Sequence, residues 1–170
     1  MARRSDHSRE EIKEMALDAA ATIVEEEGSK KLTARNVAAA IGYTVGTLYL
    51  VFRNLDDMIL HLNARTLDDL HQWLLDRRVV EATPQQQLQA LADAYIEYAV
   101  SHTARWNMLF ESIASVDNEL PDWYLQRLSK VFGLIESALT PLVDHQGKGA
   151  IVQAARVLWA GVQGICTLKI

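Results

Sequence analysis

A chain of 170 residues, 49% hydrophobic and 23% charged, is long enough for one large domain or two small ones with cores of their own, which excludes a disordered polypeptide. Its net charge of −5 argues against wholesale polyanion binding, and neither a signal region nor a run near the roughly 18 to 20 uncharged apolar residues of a membrane span is found, so a cytoplasmic protein without a membrane partner is expected. The single cysteine, Cys166, excludes an internal disulfide framework and any multi-cysteine metal site, and reads as a small buried hydrophobe.

Ser8 and Glu11 stand at capping-box spacing, after which Ile12, Met15, Ala16, Ala19, Ala20, Ile23 and Val24 recur at three and four residues. This alanine-rich stripe predicts a closely packed helix, closed by Glu25 to Glu27 and by Gly28 as a left-handed C-terminal residue. Two short helical patterns follow, Ala34 to Ile41 and Val45 to Phe52, separated by Gly42-Tyr43-Thr44, a turn of helix-turn-helix length. Val37, Ala38, Ile41, Leu48 and Phe52 take the core-facing positions. Thr33 and Thr44 each stand where a side-chain oxygen caps the following helix, leaving backbone N–H groups at that end for a phosphate. Arg35 points outward, and Val45, Thr47, Tyr49 and Leu50 occupy the entering end and flank of the second helix. Gly46 costs about 1 kcal/mol against alanine inside a helix unless something approaches its backbone closely, as a DNA backbone or base edge would. Tyr49 has a second reading as a core aromatic with its hydroxyl at the rim.

Charge is distributed unevenly. Residues 1–53 hold eight Lys/Arg and eight Asp/Glu, residues 54–170 nine and fourteen, so the net negative charge lies entirely in the second part. In the first part Arg3, Arg4, Arg9, Lys30, Lys31, Arg35 and Arg53 surround the motif, while Glu10, Glu11, Glu14 and Glu25 to Glu27 gather on the first helix. Arg3 and Arg4 read either as a solvated tail or as an arm over the DNA backbone or minor groove.

Asn54 caps a long helix with Asp56 and Asp57 in its first turn, and Leu55, Ile59, Leu62, Thr66, Leu70, Trp73 and Leu74 carry it to Arg77 or Arg78. That length suits a connection between two domains, expected at 1–53 and 54–170. Thr83-Pro84-Gln85-Gln86 starts the next helix with a cap, a first-turn proline and a capping-box glutamine. Leu88, Leu91, Ala92, Tyr95, Ile96 and Ala99 form its stripe, and Ala104 to Ala114 a shorter helix. Asp117 to Pro121 breaks the pattern, Tyr124 to Leu139 resumes it, and Thr140-Pro141 with Asp144 to Gly149 breaks it again. The last helix, Ala150 to Ile170, is apolar on several sides; Gly161 and Gly164 suit a subunit interface and equally a buried core helix. No segment reads as a strand, so the class is all-α.

The N-terminal third resembles the tetracycline-repressor (TetR) family of bacterial transcriptional regulators. Glu26-Glu27-Gly28, Thr33-Ala34-Arg35-Asn36-Val37-Ala38 and Gly42-Tyr43-Thr44-Val45-Gly46-Thr47-Leu48-Tyr49-Leu50-Val51-Phe52 meet its pattern over about residues 9 to 60. The resemblance implies a three-helix DNA-binding domain, a helical domain for ligand binding and dimerisation, and a homodimer on a palindromic operator. By position it implies phosphate contacts from Thr33, Thr44 and Tyr49, an arginine aimed at DNA in Arg35, and base-edge contacts from Val45, Gly46, Thr47 and Leu50. Leu55 departs from a lysine often found there, which removes one expected phosphate contact that Arg53 stands beside to replace. The C-terminal part is similar to the subset carrying Trp-x-x-x-His-Gly, here Trp159 to Gly164 with Gln163 in the histidine position. Members normally add a ninth helix, and Ile170 ends an apolar run without a stop signal, so a final helix is expected to be missing.

The resulting expectation is a repressor released from DNA by a small-molecule effector. Its pocket among helices four to eight is expected to draw on Trp73, Tyr95, Tyr98, His102, Trp106, Phe110, Trp123 and Trp159, although each of them taken alone reads more readily as plain core. The rival is a helical small-molecule binder or enzyme that never touches DNA. Histidines 7, 61, 71, 102 and 145 do not gather into the carboxylate clusters of bundle metal sites, and Asp68, Asp69 and His71 read as a solvated face. No catalytic residue, metal or cofactor is therefore expected.

Overall fold

Side-chain caps set where the helices begin. In the computed structural model, which describes residues 7–79, 82–113, 120–143 and 147–169, Ser8 and Glu11 close a reciprocal capping box at the start of α1 (Arg9–Glu27). Thr33 Oγ1 accepts from Asn36 N at 3.1 Å ahead of α2 (Ala34–Ala40), and Thr44 Oγ1 from Thr47 N at 3.3 Å ahead of α3 (Val45–Leu48). Asn54 caps α4 (Leu55–Asp76) through Asp57 N at 2.8 Å, and Thr83 with Gln86 forms the second capping box, at α5 (Pro84–Ser101). Then come α6 (Thr103–Ile113), α7 (Asp122–Val143) and α8 (Lys148–Lys169), with a 3-10 helix at Ser29–Lys31 between α1 and α2. Among the described residues there is no strand.

Beyond shifts of one or two residues at helix ends, three features differ from the sequence expectation. The α-helical part of α3 stops at Leu48, and Tyr49 to Phe52 continue it as a tighter turn in which Leu50 N bonds Thr47 O and Val51 N bonds Leu48 O. The β-branched residues and Gly46 in so short a stretch give little propensity to extend it, and the burial of Phe52 holds the end instead. Helix α7 runs through Pro141 to Val143, because Leu139 and Val143 pack on Ile151 and Ala155 of α8, and that burial outweighs one hydrogen bond lost in the final turn. Gly28 does close α1, yet at φ 88° and ψ 162° rather than in the left-handed helical region.

Two main cores form. Ala16, Ala20 and Val24 of α1, Val37 of α2, Leu48, Phe52, and Met58 and Leu62 of α4 make the first, with Met108 of α6. The second joins Leu67, Leu70 and Leu74 of α4 to Leu91, Tyr95 and Tyr98 of α5, Leu109 of α6, Tyr124 and Val131 of α7, and Cys166 of α8. Each fully buried Leu, Val or Met contributes roughly 1.5–3 kcal/mol, so α4, which supplies both cores, cannot shift without disturbing each of them.

Charged side chains tie the two cores together across α4. Arg65 pairs with Glu14 and Asp18 of α1, the latter at 2.7 Å. Arg105 of α6 bonds Thr66 Oγ1 at 3.2 Å and Asp69 at 2.6 Å, and lies 3.7 Å from Glu25. Several acids of α1 are thus turned toward α4 and α6.

Helix α8 has two apolar faces. Ile151, Ala155 and Cys166 are buried, while Val157, Ile165 and Leu168 are exposed, and the helix is long and apolar enough by length and composition to cross a membrane despite Arg156 within it. Gly161 and Gly164 share the exposed side, with nothing within 4 Å of where a Cβ would stand on either.

Candidate nucleic-acid interface and effector cavity

The second helix of the motif presents one face inward and one outward. Leu48 is fully buried, which anchors the element, whereas Tyr49 is 48% and Leu50 62% exposed. The Tyr49 ring therefore lies outside the core, and the alternative of a buried aromatic does not describe it. Thr44, Gly46 and Arg53 are also exposed, and Val45 and Thr47 half-buried. Thr44 Oγ1 lies 3.0 Å from Thr47 Oγ1, so each hydroxyl fixes the other at the helix start.

The preceding turn is held by Gly42 at φ 73°, with Tyr43 N bonding Ala38 O at 2.9 Å. The Tyr43 hydroxyl reaches His7 Nδ1 at 2.8 Å and ties the chain entering α1 to this turn. Thr33 and Arg35 are exposed at the start of α2, and Arg53 is drawn over the start of α4 by Asp57 at 3.2 Å. Among the described residues no acid forms an ion pair with Lys30, Lys31 or Arg35. Arg3 and Arg4 lie outside the described residues.

A cavity of about 300 Å³ opens between α5, α7 and α8 beside the inner end of α4. Tyr95 and Trp159 line it. The other six aromatic positions anticipated for a pocket lie elsewhere: Trp106 and Phe110 pack against one another at 4.9 Å, with Phe110 6.1 Å from Trp159. Trp73, Tyr98 and His102 form a separate group, Tyr98 and His102 stacked at 4.4 Å, with Trp73 Nε1 donating to Ala94 O and Arg77 over its ring. Burial pushes the Tyr98 phenol up to about 12, and its hydroxyl donates to Thr66 O. Trp123 sits at the junction of the two cores, stacked on His61 at 4.6 Å. Burial, then the Lys13 ammonium bonded to its Nε2 at 3.2 Å, holds that imidazole below its usual range.

The cavity walls come mainly from aliphatic residues such as Leu88, Leu91, Val131, Ile135 and Val162, and from Gln85 and Gln89. Gln85, Leu88, Gln89 and Ala92 lie at i, i+3, i+4 and i+7, one face of α5, which is the signal in the sequence that points to them.

Two family models match the chain, bacterial regulatory proteins of the tetR family over residues 16–62 and the tetracyclin repressor-like C-terminal domain over residues 88–170. The chain belongs to the TetR family. It is accordingly a ligand-responsive, DNA-binding transcriptional regulator. A protein of unknown function from Rhodococcus sp. RHA1 has the same fold at 19% identity, with a TM-score of 0.75 over 99% of this chain and 86% of that one. FadR from Bacillus subtilis, solved in complex with stearoyl-CoA, is 16% identical, with a TM-score of 0.69 over 91% of this chain and 85% of that one. PfmR, a TetR family regulator from Thermus thermophilus, is 16% identical, with a TM-score of 0.63 over 89% of this chain and 84% of that one. No curated protein matches the chain in sequence.

Both departures from the TetR pattern have local accounts. Leu55 packs against the first core, an apolar role that a lysine would fill only with its stem. Gln163 accepts the Tyr95 hydroxyl at 2.5 Å, and burial raises that phenol far above its usual range, against the indole N–H groups of Trp106 and Trp159. Gln163→Leu strands this buried hydroxyl and is expected to cost about 2 kcal/mol, a fall in Tm of roughly 4–8 °C. Adding Tyr95→Phe should recover most of the loss in a melting experiment, because both partners are then gone.

Proposed function

We propose that this chain is a cytoplasmic, non-enzymatic repressor that binds a palindromic operator as a homodimer and leaves it when a small molecule enters the cavity. Residues 1–53 read DNA and residues 54–170 bind the effector and the second subunit. Thr33, Thr44, Tyr49, Arg35 and Arg53 contact phosphates, with Arg3 and Arg4 as an arm; Val45, Gly46, Thr47 and Leu50 face base edges. With Val45 and Leu50 as readers, thymine methyl groups and DNA shape carry much of the readout, and Thr47 supplies a hydrogen bond.

The observation that carries this reading is the position of α4, whose first turns belong to the core beneath the recognition motif and whose last turns flank the cavity. A ligand that binds better to one setting of α4 shifts the balance between settings. In a dimer that movement takes two recognition elements away from the roughly 34–36 Å that spans one DNA turn. The stearoyl-CoA held by the Bacillus subtilis relative supports a small-molecule effector here.

In vitro selection from random duplexes is expected to return inverted repeats, and binding to them should fall steeply with salt. Arg35→Ala should lower the slope of log affinity against log salt by about one unit, the release of one phosphate contact. Tyr49→Phe removes an uncharged donor and should weaken binding at unchanged slope. No duplex bound at about 50 mM salt, where phosphate contacts are least screened, would end the proposal.

A further inference from the structure

We infer that the cavity between α5, α7 and α8 takes an uncharged, mostly apolar molecule of about a dozen non-hydrogen atoms with one hydrogen-bonding head group. The inference rests on the effector reading above and narrows it. Its first support is charge. Among the described lining residues there is no Lys, Arg, Asp, Glu or His, and the side chains with a polar atom are those of Gln85, Gln89, Tyr95 and Trp159, the last through an indole N–H turned toward Tyr95. The Tyr95 hydroxyl already donates its hydrogen bond to Gln163 Oε1, and with its pKa raised it stays neutral through the physiological range.

The glutamines mark one end of the cavity. Both are exposed near the start of α5, and Gln89 Nε2 donates to Asp93 Oδ1 at 2.9 Å, which leaves Gln89 Oε1 as an acceptor. A carboxylate, that of Asp93, therefore stands beside the Gln89 amide. A carboxylate, sulfate or phosphate entering here meets no cation in the lining and approaches an aspartate, so the anionic form is disfavoured, the more so the deeper it is drawn from water. An alcohol, amide or ketone head bonds the glutamine amides without that penalty.

Size follows from the volume. A cavity of about 150 Å³ takes benzene, so the 300 Å³ here suits a molecule about twice as large, a medium alkyl chain or two fused rings. The walls contributed by Leu91, Val131, Ile135 and Val162 have no polar atom, and Tyr95 and Trp159 spend theirs around the Tyr95–Gln163 hydrogen bond, which favours the glutamine end for the head.

A matched pair of probes tests the assignment, 1-decanol and decanoate at about pH 8, each titrated into the full chain with tryptophan fluorescence as the readout. Decanol is expected to bind at least about tenfold more tightly than decanoate, since only the latter carries an unpaired charge into the site. Gln89→Lys, at an exposed position, should improve decanoate about threefold and so narrow the gap. Ala92→Trp, which fills the cavity, should abolish decanol binding, with Val162→Trp as a second block and melting curves showing that each variant is folded. Equal affinity for the two probes, a preference for decanoate, or no binding of either overturns the assignment, whether or not the chain binds duplex. Decanol binding that leaves duplex affinity unchanged upholds the cavity assignment and removes the effector role instead.

Discussion

Gly46→Ala is expected to melt higher than the parent chain and to bind duplex more weakly. The two effects have separate causes. A Cβ at Gly46 meets only Thr44 Oγ1, at 3.7 Å, an ordinary contact, and the backbone there is not in a conformation reserved for glycine. Nothing inside the chain therefore requires a missing side chain, and alanine should add about 0.5–1 kcal/mol through helix propensity. What requires it is outside the chain. On the proposed DNA face a methyl group at this position holds the recognition element off the base edges, and a loss of about tenfold, near 1.4 kcal/mol, is expected. Gly46→Glu should fold as well as the parent and lose about a hundredfold or more, since its carboxylate faces phosphates. Melting temperature and fluorescence anisotropy on the same samples measure both quantities. If Gly46→Ala melted lower, the glycine would be a folding requirement; if all three chains bound a selected duplex equally, the face would be wrong.

Much of the fold was legible because capping chemistry is local. Ser8 with Glu11, Thr33, Thr44, Asn54 and Thr83 with Gln86 each act within four residues, so their helix starts could be read from neighbours alone. Where distant packing decides, the pattern misleads. Pro141 looks like a stop, yet Val143 is held in α7 by residues of α8 that lie beyond the break. The same division runs through the candidate sites. The motif's outward residues follow from the positions of Leu48 and Phe52 in one short segment, and Tyr49 and Leu50 are exposed for that reason. The cavity depends on how four helices cross. Residue type alone therefore favoured large aromatics, six of which lie elsewhere, while its walls are mostly Leu, Val and Ile. Gln163 could be seen as a departure but not explained, since its partner Tyr95 is 68 positions away.

The proposed dimer is the second place where one substitution should have a large effect. Gly164→Arg is expected to give a folded monomer whose affinity for a palindromic duplex is at least about a hundredfold lower. Val157, Ile165 and Leu168, 65%, 47% and 90% exposed, lie on one side of α8 with Gly161 and Gly164, a continuous apolar strip at helical spacing. The two glycines let a facing helix approach closely, and nothing in the subunit occupies the space beside either, so arginine fits the isolated chain without strain. In the proposed dimer, if it closes through this strip, the same guanidinium is buried near the twofold axis against its own copy, unpaired and repelled. The loss of DNA affinity follows without any change in the recognition motif. Two linked motifs bind the second half-site at an effective concentration near millimolar, which multiplies affinity by roughly 10²–10⁴ over one motif alone. Light scattering should report one subunit for Gly164→Arg and two for the parent, and anisotropy on a single half-site should give the same affinity for both. A Gly164→Arg chain that remains dimeric would place the interface elsewhere, and a monomer that binds the full operator as tightly as the parent would remove the dimer from the mechanism.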